Sequence, residues 1–149
     1  MSMIALIQRV SQAQVSCEGE SVARIGAGVL ALIGVERTDQ QAQADRLVEK
    51  ILGYRIFPDT SGRMNLSLRD TDGSLLLVPQ FTLAADTRKG MRPGFSMAAD
   101  ATEGRRWFDY LLVRARSLHR LVAAGRFGAD MQVSLINDGP VTFWLQTRG

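Results

Sequence analysis

Asn137-Asp138-Gly139-Pro140-Val141-Thr142 is the stretch on which the reading of the fold turns. Apolar alternation approaches it through Met131, Val133 and Leu135 and resumes beyond it through Val141, Phe143 and Leu145. The pattern therefore predicts two strands joined at a sharp corner. Glycine supplies backbone angles that other residues avoid, and proline fixes its own φ while removing a hydrogen-bond donor. Between strands, a corner of this composition is ordinarily a hairpin turn. Its X–Pro bond is ordinarily trans, since cis occurs in only about 5–6% of such bonds in folded proteins.

The same alternation opens the chain. Residues 4–10 read as a strand that continues through Ala13 and Val15, and residues 22–25 return from a turn at 18–21. Residues 29–35 are apolar without alternation, as expected of a strand buried on both faces. Thr38 with Gln41 forms a capping-box pattern that predicts a first helix, with Ala44, Leu47, Val48, Ile51 and Leu52 on one apolar face. Short extended pieces are expected at residues 55–57 and 64–68, around a turn at 58–62. Residues 74–83 read as a further strand, in which Pro79 cannot donate to a ladder. That strand must end, bulge or lie at an edge there, which leaves backbone groups of residues 80–82 available. Residues 84–97 form a Gly-, Pro- and cation-rich loop. A second helix begins near Asp100, capped through Glu103; Phe108, Leu111, Leu112, Ala115, Leu118 and Val122 make its buried stripe and Gly125 its end. Residues 126–136 and 141–146 are the closing strands. The fold class is α/β and β-rich, with twisted sheets forming a sandwich or barrel-like core and two main helices.

The 149 residues suit a single domain, 1–149, long enough to bury roughly two-thirds of its unfolded surface. No apolar run approaches the roughly 20 residues of a membrane span, and Gln8 and Arg9 interrupt the only apolar stretch near the N-terminus. A cytoplasmic location is expected. The single cysteine, Cys17, excludes an intramolecular disulfide,. Net charge is +3 but uneven, with nine Lys/Arg against four Asp/Glu between residues 84 and 126 and nine against eleven elsewhere. A mildly basic segment on a near-neutral chain suits a short piece of nucleic acid or an anionic ligand.

Acid–base and metal chemistry find little footing. His119 is the only histidine, and it falls in the second helix beside core positions, where a structural role is usual. Cys17 has no base partner in sequence, and there is no Gly-x-Ser-x-Gly elbow. No His/Cys/Asp/Glu cluster has ligand spacing, so neither a metal nor a cofactor is expected. Gly26-Ala27-Gly28 precedes a strand rather than a helix and is not a dinucleotide fingerprint. Arg106, Arg116 and Arg120 along the second helix could form an RNA-facing stripe, but a solvated helix face is the favoured reading. Arg88, Lys89 and Arg92, in the loop after Gln80-Phe81-Thr82-Leu83, would place positive charge beside any ligand held at that strand end.

Gln80-Phe81-Thr82-Leu83 and Asn137-Asp138-Gly139-Pro140-Val141-Thr142, in this order and near this spacing, resemble the two signature motifs of the D-aminoacyl-tRNA deacylase family. Gln8-Arg9-Val10, Arg55-Ile56-Phe57, Met64-Asn65-Leu66-Ser67, Asp86-Thr87-Arg88-Lys89-Gly90 and Gly125-Arg126-Phe127-Gly128-Ala129-Asp130-Met131 extend the resemblance over nearly the whole chain. One departure stands out: the first signature is usually Ser-Gln-Phe-Thr-Leu, and here Pro79 replaces the serine. The resemblance implies hydrolysis of the ester linking a D-amino acid, or mischarged glycine, to the 3′ end of tRNA. It implies a homodimer in which Gly139 and Pro140, joined by a cis bond, enter the partner's pocket as a chiral filter. It further implies that Gln80, Phe81 and Thr82 carry the catalytic site, that Phe95 and Met131 flank the terminal adenine, and that Arg9 braces the Gly-Pro corner. The alternative is a non-catalytic RNA- or DNA-binding dimer of the same fold, its activity reduced by Pro79.

Overall fold

The computed structural model describes residues 2–147. Its longest strands, β1 (Ile4–Cys17) and β8 (Gln132–Gln146), run antiparallel to each other from Ile4↔Gln146 to Ser16↔Gln132. Two strands share the other edge of β1: β3 (Gly28–Gly34) pairs with residues 4–10, and β2 (Glu20–Ile25) with residues 13–17. β6 (Ser74–Pro79) lies parallel to β3, and β7 (Val122–Ala124) lies parallel to β6. A small ribbon of β4 (Phe57–Pro58) and β5 (Met64–Leu66) stands apart from this sheet.

Alternation sorts the side chains between two cores. Ala5 and Ile7 of β1, Val29, Ala31 and Ile33 of β3, and Leu75 and Leu77 of β6 face α1 (Gln41–Gly53) and α3 (Ala101–Leu118). Val10, Leu30, Leu76 and Val78 point to the other face, where Ile25 of β2 joins them. The register of β1 slips between Val10 and Gln12. That bulge changes parity, so Ala13 and Val15 stay on the face of Val10, and the strand bends the sheet over the second core. β3 and β6 are covered on both sides, as their unbroken apolar runs require. The result is a curled, near-barrel sheet with helices over its outer face.

Several expected boundaries move. The corner at residues 137–142 does not reverse the chain. Gln8 pairs with Thr142 and Val10 with Asn137, so residues 138–141 bulge out opposite the single residue Arg9. Both arms lie on β1 because β1, at 14 residues, is long enough to pair with each in turn. The first helix starts after Gln40 rather than Thr38. A turn occupies the expected position, with the Asp39 N–H donating to the Glu36 carbonyl (3.0 Å) and the Asp39 carboxylate accepting from the Glu36 N–H (2.7 Å). At the helix start the Gln43 side chain accepts from the Gln40 N–H (2.8 Å).

β5 stops at Leu66 because Ser67 caps a one-turn helix, α2 (Leu68–Thr71), exchanging hydrogen bonds with Asp70. α3 begins at its expected Asp100 cap but ends at Leu118, short of Gly125. The His119 N–H donates to Ala115, its ring nitrogen Nε2 lies 2.6 Å from the Gly73 carbonyl, and the chain turns into β7. Val122 therefore belongs to a strand, and Leu118 is exposed. Residues 126–131 form a turn in which Gly128 adopts φ +79°, so the closing strand begins at Gln132.

Candidate active site

The site starts where β6 runs out of ladder. The N–H groups of Ser74 and Gln80 donate to Ala27 and Ile33 of the β3 side, while that of Leu75 donates to Leu121 ahead of β7. Alternation thus directs the amide position of residue 79 toward β7. That pairing closes with the Gly125 N–H on the Leu77 carbonyl (2.9 Å), so proline interrupts nothing on the β3 side. The chain then leaves the sheet in a 3₁₀ turn, Phe81–Ala84. Phe81 and Thr82 open this turn, and their N–H groups have no carbonyl of the same turn to meet. Gln80 donates its side-chain amide to the Thr82 hydroxyl. This turn sits hard against the end of β3: a Cβ on Gly34 would lie 2.8 Å from the Leu83 Cβ and 3.4 Å from the Gln80 carbonyl oxygen.

A cavity of about 780 Å³ opens beside the turn. Pro79, Gln80, Phe81, Phe95 and Met131 are among its walls, so four of the residues singled out in sequence, with Pro79, meet in one place. Phe81 packs its ring on Phe95 at 5.3 Å between centroids. The opposite wall is the first turn of α3 and residues 127–129. Gly104 permits that approach, since a Cβ there would come within 3.0 Å of the Phe127 ring. The wall segment at residues 97–99 hangs on the end of β3, through Arg37 N–H to Met97 carbonyl and Ala99 N–H to Val35 carbonyl, each 3.0 Å.

Polar chemistry in this cavity is sparse. Asp100 is the only ionisable residue of its lining among the described residues, and its carboxylate is engaged in capping α3, accepting from the Glu103 N–H at 2.9 Å. His119 lies at the far end of α3, held on Gly73, and Cys17 is buried at the end of β1. Among the described residues, no three His, Cys, Asp or Glu side chains are placed to hold a metal ion. None of their helices is long and apolar enough to cross a membrane.

The Gly-Pro corner stands apart from the cavity of its own chain. Its peptide bond is cis, Gly139 adopts φ +140°, and both residues are exposed. Asn137 staples it, accepting from the Val141 N–H (3.0 Å) and donating to the Thr142 hydroxyl (2.9 Å). Arg9 holds it from β1, donating Nε to the Asp138 carbonyl (3.0 Å) and Nη1 to the Ile56 carbonyl (2.8 Å). Sequence singled out Arg9 but not Asn137, Gly34 or Gly104. Their signals, an Asn inside the motif and glycines at element ends, have many bland explanations.

The loop cations differ from one another. Arg88 is committed to Asp86, with Nε and Nη2 each 2.9 Å from a carboxylate oxygen, and that bonding holds the Asp86 carboxyl down at about 2. Lys89 and Arg92 are exposed and have no carboxylate partner among the described residues.

Residues 6–146 match the family described as D-Tyr-tRNA(Tyr) deacylase. The chain belongs to that family. It is 66% identical over 144 residues to a D-aminoacyl-tRNA deacylase of Thioalkalivibrio sulfidiphilus, with 97% of each chain covered. It is 63% identical over 146 residues to one of Alkalilimnicola ehrlichii, covering 98% of this chain and 97% of the other. Among solved structures, a c-Myc DNA unwinding element binding protein superposes with a TM-score of 0.94 at 37% identity, covering 98% of this chain and 99% of that one. A probable eukaryotic D-amino acid tRNA deacylase superposes at 0.84 with 18% identity, covering 99% and 100%, a likeness of fold alone. The two signature segments of this deacylase-family chain are thus the 3₁₀ turn at the cavity and the exposed bulge on β8.

Proposed function

We propose that this chain hydrolyses the ester of D-aminoacyl-tRNA, and of mischarged glycyl-tRNA, in the cytoplasm, releasing the amino acid and the tRNA. The observation that carries the reading is the cavity itself. Its largely apolar wall suits a terminal adenine between Phe95 and Met131, and it includes Gln80 and Phe81 at the start of the 3₁₀ turn that carries Thr82. An aminoacyl ester is already reactive, so positioning and oxyanion stabilisation suffice. The Phe81 and Thr82 N–H groups stabilise the oxyanion, Thr82 orients the ester or the attacking water, and the ribose 2′-OH assists. An orienting role for Thr82 is preferred to a nucleophilic one, since its hydroxyl accepts from the Gln80 amide, which is no base to activate it,.

The protein works as a homodimer in which Gly139 and Pro140 of one subunit enter the other's cavity. Two observations support this: the corner is exposed and braced by Arg9 away from its own cavity, and β8 is a long edge strand exposing Ile136, Phe143 and Trp144. Backbone at the filter excludes one hand of substituent by sterics without gripping the other, and glycine passes. Lys89 and Arg92 meet the RNA backbone, with Arg88 stiffening their loop through Asp86. A second reading, a non-catalytic RNA- or DNA-binding dimer, is favoured by the structural likeness to a DNA unwinding element binding protein. Paired D- and L-aminoacyl-tRNAs decide between them. Release of the D-amino acid alone supports the deacylase, whereas tRNA binding without turnover of either supports the second reading.

A further inference from the structure

Arg105 occupies an unusual position on α3. Its guanidinium lies over the Phe127 ring, 5.2 Å from the centroid, and donates Nη2 to the Phe127 carbonyl (3.3 Å). Both contacts fix it at the lip of the cavity, whose wall includes Phe127 and Gly128. Gly128 has no side chain to cover the group, and a Cβ there would lie 3.8 Å from Nη2. Arg9, Arg88, Arg106, Arg114 and Arg120 each have a carboxylate within ion-pair distance, but Arg105 has none among the described residues. A guanidinium presents five N–H donors in a rigid fork. One is used here, on a residue that is itself exposed.

We propose that Arg105 is a positioning residue that holds a backbone phosphate of the single-stranded RNA whose terminal nucleoside enters the cavity. The proposal rests on the deacylase reading and names a partner contact which that reading leaves open. A nucleoside seated against Phe95 and Met131 must lead its 5′ phosphate out through the mouth. A planar cation already ordered by an aromatic ring meets that phosphate with little further loss of side-chain freedom. Asp100 and Glu103 lie on the same helix turn, but each is turned elsewhere: Asp100 caps the helix, and Glu103 faces Arg106 at 3.6 Å.

The test compares wild type with Arg105→Ala and Arg105→Lys in two arms. In the first, binding of uncharged tRNA is measured across a salt series. Arg105→Ala is expected to weaken binding severalfold and to lower the slope of log affinity against log salt by about 0.7, the value for one single-strand phosphate contact. Arg105→Lys is expected to keep that slope. In the second arm, hydrolysis of D-aminoacyl-tRNA is compared with that of a 3′-D-aminoacyl adenosine lacking a 5′ phosphate. The alanine variant is expected to raise KM for the tRNA and not for the nucleoside ester. An unchanged salt slope, or equal losses on both substrates, would overturn the proposal and leave Arg105 as a mere support for Phe127. Because the first arm needs no turnover, it decides Arg105 even if the wild type hydrolyses no ester, a result that would count against the deacylase reading alone.

Discussion

Gly34 and Gly139 show how single hydrogen atoms position the two signature segments. Gly34 lets the 3₁₀ turn press against β3, and a methyl there meets the Leu83 Cβ at 2.8 Å. Gly34→Ala is therefore expected to shift the turn, lowering kcat by about tenfold or more while costing about 1–3 kcal/mol of stability, as overpacking does. Single-turnover kinetics with a parallel melt checks both, and an unchanged kcat would detach the turn from catalysis. At Gly139, φ is +140° and a Cβ would meet the Val141 Cγ2 at 2.7 Å and the Arg9 Nη2 at 3.3 Å. Gly139→Ala is expected to displace the corner and impair D-aminoacyl-tRNA hydrolysis, with the α/β core intact because the bulge is exposed. Pro79 is the family departure, and its missing N–H faces the side where β7 pairing has ended. Pro79→Ser should consequently keep or raise activity in the same assay; a sharp loss would show a cavity wall adapted to proline.

β8 is the element on which sequence reading and structure part most instructively. Alternation on either side of residues 137–142 was legible, and so were the doubly buried β3 and β6 and the apolar faces of α1 and α3. Alternation says which face a strand buries, not which strand it pairs with. Whether two arms fold onto each other or both lie on β1 is therefore invisible in the pattern. β7 escaped because Val122-Ala123-Ala124 is short and Val122 continues the helical phase of α3. At the site, Gln80, Phe81, Phe95 and Met131 do meet at one cavity. Gly139 and Pro140 do not join them within one chain, since their proposed pocket belongs to a second copy. An edge strand of 15 residues with Ile136 53% and Trp144 50% exposed invites pairing with another copy,. Ile136→Lys combined with Trp144→Glu is expected to shift sedimentation from dimer to monomer and to reduce deacylation by about a hundredfold, recovering as protein concentration rises. A fully active monomer would remove the cross-subunit filter.

Across the whole molecule, Asp39, Asp70, Asp72 and Asp86, the carboxyls whose titration the fold shifts, lie outside the lining of the cavity. Asp39 joins β3 to α1 by accepting the Glu36 N–H, and Glu36 in turn bridges to Ala98 on the segment that walls the cavity. Burial pushes the Asp39 carboxyl up to about 6, against the pull of that hydrogen bond. Its Oδ1 is buried with no hydrogen-bond partner, so the ionised form is poorly served. A carboxyl raised on folding favours the folded state when protonated: its contribution is complete below about 3.8 and is lost as pH rises through about 6,. Asp70, Asp72 and Asp86 act in the opposite sense, held down chiefly by hydrogen bonds from Ser67, Arg120 and Arg88. Their contributions are present above about 3.8 and fade as pH falls further, outside the upper part of the Asp39 window. Asp39→Asn keeps an acceptor for the Glu36 N–H and removes the ionisation. The variant is expected to melt higher than wild type at pH 7.5, and the gap should narrow as pH falls from about 6 toward 4. Thermal melts of both proteins across that range check the sign. A gap that widens toward acid would mean that Asp39 stabilises the fold as a carboxylate, and that the β3–α1 junction is held by charge rather than by the hydrogen bond.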